Sequence, residues 1–158
     1  MVNNVYIRRV EISDLSTLLL WENDPNNWEV SEVNQPFSEE EIADFIVNQQ
    51  ASINALDQIR WMICLKSTHE AIGTIDLFDI QTNQAGVGIL IQSTHHRNKG
   101  YATKALELLK KLAKEDLKLD HLFCNIQHFN LTSIHLFEKC QFKQVEKFEK
   151  HAKYSVNL

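Results

Sequence analysis

Residues 89–106, ILIQSTHHRNKGYATKAL, constrain this chain more than any other stretch. An apolar strand, Ile89-Leu90-Ile91, runs into a polar loop carrying Arg97, Asn98, Lys99 and Gly100, and the loop opens into an amphipathic helix. The first N–H groups of a helix have no intrahelical partner, and the helix dipole adds partial positive charge beside them. Gly100 lets the backbone come close to an anion. The residues of this stretch leave two readings open, a phosphate cradle and a plain strand-to-helix turn.

The rest of the chain is read around that stretch. Residues 5–10, VYIRRV, predict a first strand. Ser13 is expected to cap a helix with Leu15, Leu18 and Leu19 at helical spacing, ended by Pro25. Residues 24–36 form a loop with Trp28, Glu29 and Glu32. Ser38-x-x-Glu41 is a capping box, with Phe37 and Ile42 as its hydrophobic staple, opening a helix to about Gln50 with Ile42, Phe45 and Ile46 inward. Residues 59–66, 71–80 and 85–92 read as three antiparallel strands of a meander. Gly86 and Gly88 inside the third mark a bulge, a close approach by another group, or tight packing.

The helix after Gly100 puts Ala102, Ala105, Leu106, Leu109, Leu112 and Ala113 on one face and ends near Lys118. Residues 121–128 form a strand parallel to 85–92. Asn130 caps a further helix, and residues 142–149 and 151–157 close the chain as two strands. Without a repeat, linker or low-complexity segment, residues 1–158 are expected to be one domain.

Composition narrows the function classes. A chain of 158 residues with 44% hydrophobic and 23% charged residues suits one globular core. The net charge of −5 disfavours a nucleic-acid surface and tolerates a cationic small substrate. Cys64, Cys124 and Cys140 are odd in number and lack metal or redox spacing, which predicts reduced thiols and a cytoplasmic setting, with Cys64 and Cys124 in the core. No apolar run has membrane-spanning length and the start lacks a signal-peptide pattern, so no membrane association is expected. His121, His128 and His135 have no supporting ligands at metal spacing, so no metal site is expected.

Two motifs then meet at a telling spacing. Arg97-Asn98-Lys99-Gly100-Tyr101-Ala102 fits R/Q-x-x-G-x-G/A. Some thirty residues on, Asn130-x-x-Ser133-Ile134-x-Leu136-Phe137-Glu138-Lys139-x-x-Phe142 fits N-x-x-A/S-x-x-L-Y/F-E-K-x-G-F. Together, after a three-strand meander, they resemble the GNAT acyl-CoA N-acetyltransferases. The segments WENDPNNWEVSE and PFSEEE are similar to the branch of ribosomal-protein N-terminal and spermidine N-acetyltransferases.

The resemblance implies an α/β (α+β) domain with a mixed, mostly antiparallel sheet of about seven strands flanked by about four helices. It implies acetyl-CoA as co-substrate and transfer to a primary amine, either a small amine or polyamine or a protein N-terminus, by direct attack in a ternary complex. Backbone N–H groups of Arg97, Asn98, Lys99, Gly100, Tyr101, Ala102 and Thr103 would cradle the pyrophosphate. Leu90, Ile91 and Gln92 would pair with the pantetheine arm, and Asn130, Ser133 and Phe137 would approach it from the later helix. Glu22, Trp28 and Glu32 would line the acceptor cleft; the alternative is plain solvated charge. A homodimer through the closing strands is implied by the resemblance alone.

Two positions depart from the family pattern. Phe137 stands where many relatives carry a tyrosine that protonates the leaving thiolate, and phenylalanine has no proton to give. Water, Ser133 or Cys140 is left as donor, and an acyl-CoA-binding module with little or no transferase activity stays open. Gln141 stands where glycine follows the helix, so it must adopt that turn at some cost. For the amine's proton, Asp76 is the candidate base or orienting group. It shares a strand face with Thr74 and Phe78, and aspartate is depleted in strands. The alternative for Asp76 is a local hydrogen-bond network or a solvent-facing place.

Overall fold

The computed structural model describes residues 4–27 and 36–158. The alternating segments become strands β1 (Val5–Arg9), β2 (Ile59–Leu65), β3 (Ala71–Phe78), β4 (Gln84–Ile91), β5 (His121–Gln127), β6 (Lys143–Lys147) and β7 (His151–Asn157). The helical segments become α1 (Leu15–Glu22), α2 (Glu39–Asn48), α3 (Tyr101–Glu115) and α4 (Leu131–Lys139). The strands form one sheet in the order β1-β2-β3-β4-β5-β7-β6. Strands β1 to β4 are antiparallel neighbours, β4 and β5 are parallel across the α3 crossover, and β7 pairs antiparallel with β5 and β6. This is the seven-stranded mixed sheet with four helices that was expected.

Alternation along the strands sorts side chains into two cores. Trp61, Ile63, Ile75, Leu77, Ala85 and Val87 face one way and meet Ala105, Leu106, Leu109 and Ala113 of α3, all buried. Burying a leucine such as Leu106 contributes roughly 1.5–3 kcal/mol. Met62 and Cys64 face the other way, against Leu18 and Trp21 of α1 and Ile42 and Ile46 of α2. The staple residue Phe37 packs on this second core with Ile42. The side chain of buried Gln49, just past α2, donates to Gln58 O at 2.8 Å and accepts from Arg60 N at 2.8 Å, tying α2 to the start of β2.

Three local expectations are settled by neighbours that the sequence does not show. Ser38 does form the capping box, with both reciprocal bonds to Glu41. Ser13 does not cap α1. A short turn over Ile12–Asp14 precedes that helix, Glu11 and Asp14 form its reciprocal capping box, and Asp14 is the residue before α1. Asp14 is preferred because Arg8 donates two hydrogen bonds to its carboxylate, each 2.8 Å. Of the readings open for Gly86 and Gly88, the bulge lies elsewhere, while Gly86 is closely packed against the Phe78 ring. Strands β3 and β4 pair without a shift over Gly73–Phe78, and the bulge falls in β2 between Ile63 and Cys64. Among the described residues, no helix is long and apolar enough to cross a membrane.

Candidate functional site

The parallel pairing of β4 and β5 is short. Gln84, Ala85 and Gly86 pair with His121, Leu122 and Phe123, and the ladder stops there. Strand β4 runs on to Ile91 beside β3, and β5 runs on to Gln127 beside β7. The sheet therefore splays between its two central strands, and the edge of β4 from Val87 onward has no strand across from it. Leu90, Ile91 and Gln92, all half-buried, lie at the end of that edge.

The loop beyond this edge turns sharply into α3. Asn98 and Gly100 both have left-handed backbone, with φ of 60° and 81°. Such a conformation costs an ordinary residue about 1–2 kcal/mol and glycine almost nothing. Gly100 is the N-cap and supplies no side-chain hydrogen bond. The Lys104 N–H bonds Gly100 O, so the N–H groups of Tyr101, Ala102 and Thr103 come before the intrahelical ladder and point out of the helix end. Arg97, Asn98 and Lys99 are exposed around them. Arg97 Nε also donates to Ile91 O at 3.1 Å, joining the loop to the end of β4. This donor set fits a pyrophosphate: unpaired N–H groups, a helix N-terminus and two cations.

Helix α4 closes the other side of the splay. Asn130 is its N-cap, accepting from Ser133 N at 3.3 Å, and Ser133 is half-buried. Phe137, expected to approach the donor from α4, lies on the core side of this helix. It is 3% exposed, in the core, with its ring edge-on to Phe142 at 4.9 Å. An apolar ring has more to gain there than beside a polar ligand. Cys140 is also fully buried; burial, then the nearby Glu107 carboxylate, pushes its thiol up to about 12. Core burial keeps it from serving as a proton donor at an open cleft. Gln141 has a φ of 75°, the left-handed turn that glycine would take at this place.

On the α1–α2 face, the register brings Arg60, Asp76 and Gly88 into one row across β2, β3 and β4. Asp76 is 8% exposed. Arg60 Nε reaches both of its carboxylate oxygens, at 2.9 and 3.0 Å, and Arg60 Nη2 adds a third contact at 2.8 Å. Gln58 Nε2 donates to the same carboxylate at 3.3 Å. Arg60 Nη1 also donates to Glu22 Oε1 at 2.6 Å, and the guanidinium lies 5.0 Å from the centre of the Phe45 ring. Burial works against the Arg60 charge, but Asp76 and then Glu22 more than offset it and hold the guanidinium above its ordinary range. The hydrogen-bond network that was the alternative for Asp76 is therefore present, and Glu22 is part of it. A cleft of about 520 Å³ opens beside the network, lined among others by Glu22, Glu41, Asp44, Phe45, Gln58 and Arg60.

A second polar tie joins this face to β4. Gln92 Nε2 donates to Asp24 Oδ2 at 2.7 Å and its Oε1 accepts from Asn27 Nδ2 at 2.9 Å. Asn27 Nδ2 also donates to Trp21 O at 2.8 Å. Trp28, Glu29 and Glu32 lie outside the described residues. Sequence reasoning passed over Arg60, Gln58, Asp24 and Asn27. Arg60 did carry a signal, since a charge inside a strand, between Ile59 and Trp61, asks for a partner as much as Asp76 does. Among the described residues, no group of three His, Cys, Asp or Glu side chains is placed to hold a metal ion.

The model of the Acetyltransferase (GNAT) domain matches residues 4–143 of this chain. No curated protein sequence matches it significantly. Solved structures share its fold. A domain from Methanocaldococcus jannaschii is 24% identical, covers 98% of each chain and superposes with a TM-score of 0.82. The spermidine N-acetyltransferase from Vibrio cholerae, in complex with CoA and spermine, is 19% identical over 98% of this chain and 95% of its own, with a TM-score of 0.84. The aminoglycoside acetyltransferase AAC(6')-Ib, in complex with coenzyme A, is 17% identical over 97% and 94%, with a TM-score of 0.76.

Proposed function

The chain belongs to the GNAT acetyltransferase family, and from that premise we propose that it moves an acetyl group from acetyl-CoA to a primary amine in a ternary complex. The observation that carries this reading is the splay of β4 from β5, opening directly onto the uncapped N-terminus of α3. An extended arm can add to the free edge of β4 by backbone hydrogen bonds, as a strand would. Its pyrophosphate then lies at the α3 N-terminus, among the N–H groups from Asn98 to Thr103 and beside the Arg97 side chain, whose own backbone N–H is held by Thr94 O. Two structural neighbours, the Vibrio cholerae spermidine N-acetyltransferase and the aminoglycoside acetyltransferase, are complexes with CoA, which supports this donor.

Acetyl-CoA supplies the activated acyl carbon. The chain's residues position the two reactants and shape the charge around the amine. In this reading Leu90, Ile91 and Gln92 hold the arm, while Asn130 and Ser133 flank it from α4. Asp76 is assigned the orienting role, because Arg60 and Gln58 hold its carboxylate in a fixed place. The amine loses its proton to water in the open cleft, and water or the half-buried Ser133 protonates the leaving thiolate, since Phe137 and Cys140 are buried in the core. Glu22 is assigned to the acceptor side, as are Trp28 and Glu32, which lie outside the described residues. The acceptor is a small amine, a polyamine or a protein N-terminus, and the spermine held by one structural neighbour favours a polycation.

The buried Phe137 favours one other reading, an acyl-CoA-binding module with little or no turnover. The two separate in one assay. Acetyl-CoA affinity is measured by calorimetry and thiol release is followed over a panel of spermidine, glucosamine and a peptide with a free N-terminus. Release with any of these supports the transferase. Tight binding without release from a broad amine panel sinks it, and absence of acetyl-CoA binding sinks both.

A further inference from the structure

The strands hold three glycines, and two of them have a steric reason. A Cβ on Gly73 would lie 2.0 Å from the Leu90 carbonyl oxygen. A Cβ on Gly86 would lie 2.4 Å from the Phe78 ring. Gly88 differs from both. No atom of the described residues lies within 4 Å of the place its Cβ would take, and its backbone is not left-handed. Glycine inside a strand costs stability through chain entropy, and here neither packing nor backbone shape returns anything for it.

The place of Gly88 gives the missing side chain a use. Gly88 stands opposite Asp76 and in row with Arg60, so the three share the α1–α2 face. It also lies on β4 just past Gly86, where the pairing with β5 ends, two residues before Leu90. The open space therefore lies between the Asp76–Arg60–Glu22 network and the edge assigned above to the donor arm. Asp76 is the residue across from Gly88, and through Arg60 it is joined to Glu22, so two carboxylates against one guanidinium leave this face net negative, which suits a protonated amine.

Resting on the transferase reading, we infer that the space over Gly88 seats the acceptor amine, and that the absent side chain there sets how bulky an amine is accepted. The substrate class is a cationic primary amine with a slender carbon next to the nitrogen. A branched or larger residue at position 88 fills the seat without disturbing the fold, because nothing described packs there.

The test compares Gly88→Ala, Gly88→Val and Gly88→Leu with the native protein. Thermal midpoint, acetyl-CoA affinity and kcat/KM are measured, using the best of spermidine, glucosamine and a free N-terminal peptide. The Ala variant should melt no lower than native. Acetyl-CoA affinity should stay within about twofold, and kcat/KM should fall roughly tenfold or more from Gly to Val and further to Leu, mainly through the amine KM. Native kcat/KM in the Val and Leu variants overturns the inference.

A Gly88→Cys variant tests the seat without turnover. Its thiol is the accessible one, because Cys64, Cys124 and Cys140 are buried. The cationic reagent 2-aminoethyl methanethiosulfonate should label it in the folded protein, and by a larger margin over the anionic 2-sulfonatoethyl reagent than free cysteine shows. No labelling, or preference for the anion, overturns the seat. Failure of the native protein to bind acetyl-CoA strikes the transferase reading instead, and the labelling result still decides the seat.

Discussion

Removing the Arg60 charge tests whether the face carrying Asp76 is organised by electrostatics. Arg60→Met keeps an unbranched side chain of similar reach beside Phe45 and deletes all the guanidinium donors. The native guanidinium makes three contacts to Asp76 between 2.8 and 3.0 Å and one to Glu22 at 2.6 Å. The three side chains are 16%, 12% and 24% exposed, so they are neither dry nor freely solvated. Breaking a buried pair by removing one partner costs about 3–5 kcal/mol, because the other charge stays behind in a poorly solvated place. Two carboxylates are left here, yet partial exposure and the Gln58 amide soften the loss, which puts the expected cost at about 3 kcal/mol. At roughly 2–4 °C per kcal/mol for a chain of this size, the thermal midpoint falls by about 6–12 °C.

Urea unfolding followed by circular dichroism measures the cost, with the slope checked for change. Asp76→Asn, alone and combined with Arg60→Met, completes a double-mutant cycle. The coupling should be about 1–3 kcal/mol, since the two groups touch. Asp76→Asn should also slow turnover while acetyl-CoA affinity stays within about twofold, as an orienting group is expected to do. A loss below about 1 kcal/mol for Arg60→Met together with additive single costs would refute the argument, by showing that water screens this network as it does surface pairs.

Two further outcomes follow from the donor side and from the fold. Gly100→Val forces a β-branched residue into a φ of 81° at the start of α3; acetyl-CoA affinity by calorimetry should fall at least about tenfold and stability by roughly 1–2 kcal/mol, and unchanged affinity would remove the loop from the donor site. Burial would raise the Asp14 carboxyl, but hydrogen bonds from Arg8 and the Glu11 N–H outweigh it and hold the group below its usual range. The stability this contributes is present above the unfolded aspartate pKa of about 4 and is lost as pH falls through the lower folded value. Asp14→Asn should therefore cost stability at neutral pH and lose less on acidification below about pH 4, as read from urea midpoints across that range.

The donor half of the site was legible because it is nearly contiguous. Gly100, the helix start and Asn130 announce themselves through local rules of backbone conformation and capping, and the structure has Gly100 left-handed, Asn130 as a cap and Gln141 in the glycine-like turn. The acceptor half is assembled by register. Arg60, Asp76 and Gly88 are distant in sequence and become neighbours only through two strand pairings whose offsets no local rule sets. Ser13 and Asp14 show the same limit on a smaller scale. Either can cap by chemistry, but Arg8 from β1 and the Glu11 N–H hold the Asp14 carboxylate, and Asp14 stands before α1 without a side-chain bond to it. The insertion of β7 between β5 and β6 was hidden for the same reason, since strand order is a long-range property.

The two proposed halves are linked by Gln92, a residue assigned to the donor side whose side chain is bonded to the Asp24–Asn27 turn. Its backbone N–H bonds Ile72 O at 3.0 Å, extending the β3–β4 pairing to the last residue before the loop. Its side-chain amide spans Asp24 and Asn27, at the foot of the segment expected to wall the acceptor. Asn27 in turn fixes itself to the Trp21 carbonyl near the end of α1, beside Glu22. A displacement of the free β4 edge on binding an extended arm must therefore move the Asp24–Asn27 turn or break two side-chain hydrogen bonds. Each such bond contributes roughly 0.5–1.5 kcal/mol, and more where a charged carboxylate accepts it. Donor edge and acceptor wall thus share a mechanical link through a single side chain, while the Arg60 network fixes the charge of the face between them.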